Sequence, residues 1–148
     1  MKLLNIAIIL LINLKVIFAQ STLNTTKIDS IYQNYLMQIE IPKRESLSRL
    51  PEVKLKFQTN QLDSADLFLV TILRNKERLW EQVYMKVNHW DKDSIKATLS
   101  SEMNVVKGYP YGSIFIFTED KVIDWLIMYP DGREEGNYII KYINKFNH

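Results

Sequence analysis

Along this chain apolar residues first recur every three or four positions and later every second position. Ile28, Ile31, Tyr32, Tyr35, Leu36 and Ile39 form one stripe on a helix over residues 28–39. Asp29 or Ser30 would cap or charge its first turn. Pro42 predicts its end or the opening of a new element. Residues 43–57 carry Leu47, Leu50, Val53, Leu55 and Phe57 and begin as a helix, with a break or a new first turn at Pro51.

From Asp66 the period changes. Leu67 to Leu73 is a continuous apolar run that suits a central strand buried on both faces. After the polar turn Arg74 to Glu77, the next strand alternates. Leu79, Glu81, Val83, Met85 and Val87 form a mainly aliphatic face, and Trp80, Gln82, Tyr84, Lys86 and Asn88 a mixed aromatic and polar one. The two strands read as a hairpin. Ser94 to Leu99 alternates again after the Asp91-Lys92-Asp93 turn. Gly108 and Gly112 bracket a Tyr109-Pro110-Tyr111 loop. Ser113 to Phe117 and Lys121 to Tyr129 predict two further strands, separated from the C-terminal segment by the Pro130-Asp131-Gly132 turn. Residues 138–143 fit a strand by alternation and a helix by the stripe Tyr138, Ile139, Tyr142 and Ile143; the strand is preferred. Helices segregated from strands predict an α+β fold: one or two N-terminal helices packed on a mainly antiparallel sheet of about five to six strands.

The N-terminus changes the charge balance. Met1-Lys2, the mostly apolar stretch Leu3 to Phe18 and Ala19-Gln20 predict a signal peptide over residues 1–19, a flexible lead-in over 20–27 and a single domain over 28–148. Asn5, Asn13 and Lys15 interrupt the apolar stretch, so a spanning anchor is the alternative rather than the expectation. Cleavage removes Lys2 and Lys15 from the 19 basic residues and none of the 17 acids, leaving 17 against 17. A neutral exported chain without a clustered basic face argues against nucleic-acid binding. The sequence has no cysteine, which excludes disulfides and thiol chemistry. Stability must come from a core.

Candidate chemistry is sparse. There is no nucleophile-elbow motif. The histidines are His89 and His148, and the first reads as a turn residue. The string His89, Asp91, Asp93 fails as a calcium loop: counted from Asp91, Glu102 stands at the glutamate position, but Lys96 stands where the glycine belongs. No metal or cofactor is expected. Asp124 is the notable acid, sharing an apolar strand face with Val122, Leu126 and Met128. It is the one catalytic candidate; the structural alternative has it accept hydrogen bonds from a neighbouring loop, with residues 108–112 as the expected donors. Trp80, Tyr84, Trp90 and Trp125, with Tyr109 and Tyr111, are the aromatic candidates for a ligand or partner surface, to which Asp124 would also contribute, with core packing as the competing reading.

Several segments together resemble domain-of-unknown-function family 2314. They are Glu77-Arg78-Leu79-Trp80 with Val83, Val87 and Trp90, then Ile95 to Leu99, Val106-Lys107-Gly108, Gly112 and Val122-Ile123-Asp124-Trp125. Asp131-Gly132 and Glu135-Gly136-Asn137-Tyr138 close the series, and Glu45-Ser46-Leu47 with Phe57 precedes it, so the resemblance covers residues 43–143. It implies a small bacterial α+β domain, here exported, and implies no reaction. The histidine found in one family variant of the first strand is absent, because position 78 is arginine. The expected function is a non-enzymatic exported module that binds a protein or small ligand in the cell envelope or outside, with a toxin-blocking, immunity-like role as one form. The alternative is a small-molecule hydrolase using Asp124.

Overall fold

A computed structural model describes residues 25–146. The expected signal peptide and residues 20–24 of the lead-in lie outside them. Residues 25–27 are not a flexible lead-in, because the first helix already begins at Thr25. The order is α1 (Thr25–Gln58), β1 (Asp66–Arg74), β2 (Trp80–Asp91), β3 (Ser94–Leu99), β4 (Ile114–Thr118), a 3-10 turn (Glu119–Lys121), β5 (Asp124–Met128), β6 (Glu134–Gly136) and α2 (Tyr138–Asn144). Every strand pair is antiparallel, in the order β4-β3-β2-β1-β5-β6. The fold is α+β, as expected. No helix among the described residues is long and apolar enough to cross a membrane.

The helical region corrects the expected breaks at Pro42 and Pro51, which both lie inside one 34-residue helix. Each proline removes an intrahelical hydrogen bond and costs about 3 kcal/mol in a helix interior. Packing outweighs this. Ile39, Pro42, Ser46, Leu50 and Val53 are buried at helical spacing straight through both prolines. Tyr35, Leu36, Leu47 and Phe57 add partial burial. Each large apolar side chain buried contributes about 1.5–3 kcal/mol.

The two halves of α1 cover different faces of the sheet. Tyr35, Leu36 and Ile39 pack with Val70, Tyr84, Leu126 and Ile139. Leu47, Leu50, Val53 and Phe57 pack on the other face, with Leu69, Val83, Met85, Trp125 and Ile127. The apolar run of β1 serves both layers, Leu69 facing one and Val70 the other. The helix must therefore pass an edge of the sheet. It does so at β5, which β6 pairs only from Leu126 onward.

The sheet is coiled around the larger core. Glu119 N–H bonds Asp93 O in the β2–β3 turn (3.0 Å), and Lys121 O accepts from Thr71 Oγ in mid-β1 (2.8 Å). The far end of β2 therefore curls back over the middle of β1. A bulge between Val87 and His89 lies where this bend is needed.

Two strand expectations shift. The strand expected over 121–129 begins only at Asp124, because Val122 N–H closes the 3-10 turn on Glu119 O (3.0 Å). The sixth strand is residues 134–136, and the preferred strand over 138–143 is instead helix α2. Its helical stripe prevails because Ile139 and Ile140 are buried and the Ile139 N–H has a carboxylate acceptor in Asp124 (2.8 Å).

Gly136 makes the turn into α2 possible. Its φ is +83°, and a Cβ there would stand 2.3 Å from Trp125 O and 2.5 Å from the indole ring. Gly136→Ala is expected to cost about 3 kcal/mol or more, combining backbone strain with a clash. Gly132→Ala, at φ +89° with open space around it, is expected to cost only about 1 kcal/mol. Urea unfolding of the two variants side by side tests the difference.

Candidate functional site

Five of the candidate surface residues lie in the interior. Trp80, Tyr84, Trp90, Asp124 and Trp125 are exposed by 3%, 6%, 3%, 1% and 3%. Trp80 packs against the rings of Tyr32 and Tyr35, at centroid distances of 5.4 and 4.6 Å. Trp90 donates from Nε1 to Glu119 (2.8 Å), with the Lys54 ammonium 5.4 Å from its ring centre. Alternation alone would put Trp90 on the face of Trp80 and Tyr84. The bulge at Val87/His89 changes its parity and sends it into the core beside Val87. These aromatics are buried side chains of the interior, and of the four only Trp90 also reaches the wall of a cleft.

Asp124 is a hub. Its Oδ1 accepts from Ser46 Oγ (2.6 Å) and from the N–H of Trp125 (2.8 Å), and its Oδ2 from the N–H of Ile139 (2.8 Å). The expected donors around residues 108–112 are not its partners. Burial pushes its pKa up from the ordinary carboxylate range, and the Ser46, Ile139 and Trp125 donors offset only part of that. Tyr84, whose hydroxyl donates to Asn137 Oδ1 (2.8 Å), and Tyr35, whose hydroxyl donates to Gln82, flank the hub. Both phenols are held protonated well above their ordinary range, first by burial and then by the Asp124 charge. A general acid or base must reach a substrate proton. A carboxylate this buried, with both oxygens holding structural donors, is placed to organise the fold.

The loop after β3 is held instead by Glu81, the other acid in an apolar strand row. Its carboxylate accepts from the N–H groups of Asn104, Val105 and Val106 at 3.0–3.2 Å. Alternation places Glu81 among Val83, Met85 and Val87, and that placement is the signal for this role.

Two accessible features remain. The first is β4, an unpaired edge. The bonds Leu99 N–H to Ser113 O and Glu119 N–H to Asp93 O fix the phase of the β3–β4 ladder. Odd-numbered residues bond inward, so Ile114, Ile116 and Thr118 turn their backbone N–H and C=O groups to the open side. The side chains of Ile114 and Ile116 are 63% and 74% exposed, and Tyr111 beside them 69%. Residues 108–118 carry no charge.

The second is a cleft of about 510 Å³ between the end of α1 and the β2 bulge. Phe57, Leu62 and Trp90 line it together with Asn60, Asp63, Ser64, Asn88 and His89. His89 sits at its rim, exposed. His148 lies outside the described residues. Among the described residues, no group of three or more His, Cys, Asp or Glu side chains could hold a metal ion.

No family model, curated protein or solved structure matches the chain.

The hub generates a pH-dependent prediction. Asp124→Asn replaces one acceptor by a donor facing backbone or hydroxyl donors, and is expected to cost about 1–3 kcal/mol at neutral pH. The folded-state pKa of Asp124 is raised, so on acidification the folded protein takes up this proton before the unfolded chain does. This group therefore adds stability as pH falls towards the ordinary carboxylate range near 3.8. The deficit of Asp124→Asn relative to the unmodified protein is expected to widen from neutral pH downward through that window. Urea unfolding at a series of pH values measures it, and a deficit that narrows contradicts the assignment.

Proposed function

We propose that this chain is an exported, non-enzymatic binding module that takes up an extended segment of a partner protein along β4. The exposed, uncharged edge of β4 is the observation that carries the reading. Its outward N–H and C=O groups can add a seventh strand, and Ile114 and Ile116 offer apolar contacts on one side of it. Tyr111, in the loop that leads into the strand, is a further exposed apolar side chain, while Tyr109 packs on the ring of Phe115.

The same surface defines the partner's chemistry. Lys96 is paired to Ile116 across the β3–β4 ladder, is exposed, and makes no ion pair among the described residues. An added strand with apolar residues opposite Ile114 and Ile116 and an acid within reach of Lys96 satisfies backbone, side chains and charge together. The five residues of β4 in a second copy include no acid to set against Lys96. Export rests on the sequence of residues 1–19 and places the encounter in the envelope or outside the cell. Blocking of a toxin is one form such capture takes.

The resemblance to domain-of-unknown-function family 2314 belongs to this proposal. Among its quoted residues, Ser46, Asp124, Trp125, Gly136 and Asn137 converge around one hub. The hydrolase alternative has no observation in its favour, since the Asp124 carboxylate is buried and bonded.

The test uses the C-terminally tagged protein recovered from the exported fraction. Hydrogen–deuterium exchange of the recovered complex is expected to show protection of the Ile114, Ile116 and Thr118 amides. Ile116→Lys is expected to weaken capture by about tenfold or more, which is about 1.4 kcal/mol, while leaving thermal unfolding unchanged. Protection confined to other segments, or a complex made only of two copies of this chain, overturns the proposal.

A further inference from the structure

We infer that the cleft between the end of α1 and the β2 bulge binds a neutral saccharide unit. The site shares no residue with β4 and is independent of the binding role given to that edge.

Backbone irregularities converge on this cleft. Helix α1 ends with Asn60 in the left-handed region (φ 54°), closed by Asn60 N–H to Phe57 O and Gln61 N–H to Lys56 O. This is the pattern of a Schellman cap. The next turn has Asp63 and Ser64 both left-handed (φ 45° and 64°), closed by Ala65 N–H to Leu62 O at 2.7 Å. Across the cleft the bulge leaves Asn88 and His89 both exposed. The result is a rim of short polar side chains on fixed backbone, over a floor that includes Phe57 and Leu62.

The chemistry of the lining selects the ligand. No lysine or arginine lines the cleft, so it lacks what a phosphate or sulfate would need. Asp63 is the one carboxylate in the lining, and no metal-holding cluster exists among the described residues. The side chains of Asn60, Asp63, Ser64 and His89 make no hydrogen bond or ion pair among the described residues. Together they offer an amide, a carboxylate, a hydroxyl and an imidazole, both donors and acceptors. A sugar ring has the matching character, with hydroxyls around its rim and an apolar face for Phe57. The volume of about 510 Å³ lies within the range of ordinary small-ligand sites.

The experiment is a 1H–15N NMR titration of the whole protein with N-acetylglucosamine, glucose and galactose in turn, and with inorganic phosphate as a contrast. Saturable shifts are expected with at least one sugar, confined to amides of residues 57–65 and 88–90, and none with phosphate. Asn60→Gly keeps the left-handed cap and removes the amide, and His89→Ala removes the imidazole. Each is expected to raise the sugar Kd by at least about threefold, and the pair by tenfold or more, with unchanged thermal unfolding. Ile116→Lys is expected to leave the Kd unchanged. Absence of saturable shifts in these segments with all three sugars, an equal response to phosphate, or an unchanged Kd in the double variant would overturn the inference.

Discussion

The buried Asp124 carboxylate joins three segments that the chain order keeps apart: the middle of α1, the start of β5 and the start of α2. Its position matters because α1 has to leave one face of the sheet and continue on the other. The crossing falls at Ser46, which is fully buried. From one face Asp124 accepts the Ser46 hydroxyl, and from the other the Trp125 indole donates to the Ser46 carbonyl (3.0 Å). Burying a charge is costly, and the three donors only partly offset it, as the raised pKa of Asp124 records. What the cost supplies is direction. An apolar contact would tolerate a shift of the helix along the edge; a carboxylate with fixed donors does not.

Local periodicity made β1, β2, β3 and β4 legible to within three residues at either end, because each alternates or runs apolar between polar turns. The continuity of α1 was hidden because proline is read as a breaker. The buried series Ile39, Pro42, Ser46, Leu50, Val53 shows helical spacing only when a proline and a serine count as core residues. The segment after Gly136 was ambiguous on pattern alone. It is a helix because of Asp124, a residue on a different element. Asp124 was visible as an acid in an apolar row, but its partner Ser46 lies 78 positions away and carries no local signal. Of the aromatic candidates, Tyr109 and Tyr111 stay exposed, while Trp80, Tyr84, Trp90 and Trp125 are buried. Trp90 changes face through a bulge that strict alternation does not foresee.

The open edges of the sheet are managed differently. On the β5 side the edge is covered by α1 where β6 is missing, and β6 itself is three residues long and carries Glu134 and Glu135. Short, charged edges resist adventitious pairing. β4 has neither protection. Its five residues are apolar or hydroxylated, and the loop leading into it is uncharged and tyrosine-bearing. An uncovered strand of this composition is an aggregation hazard unless something covers it.

Stiffness and openness occupy opposite ends of the same sheet. With no cysteine to staple it, the protein secures the β1–β5 end by wrapping α1 over both faces and fixing the crossing through Asp124. At the β3–β4 end only the inner face is packed: Phe115 and Phe117 join the larger core, while Ile114 and Ile116 face outward. A strand added there would meet an edge whose inner side chains are already anchored, so less of its binding energy goes into ordering the acceptor. The bulge in β2 contributes to both halves of this arrangement. It helps to coil the sheet so that Trp90 and Val87 seal the larger core, and it leaves Asn88 and His89 outside that core, on the rim of the cleft. One irregularity therefore closes the interior and opens the surface, which is why the accessible chemistry lies beside the bend and not among the aromatic residues of the regular strands.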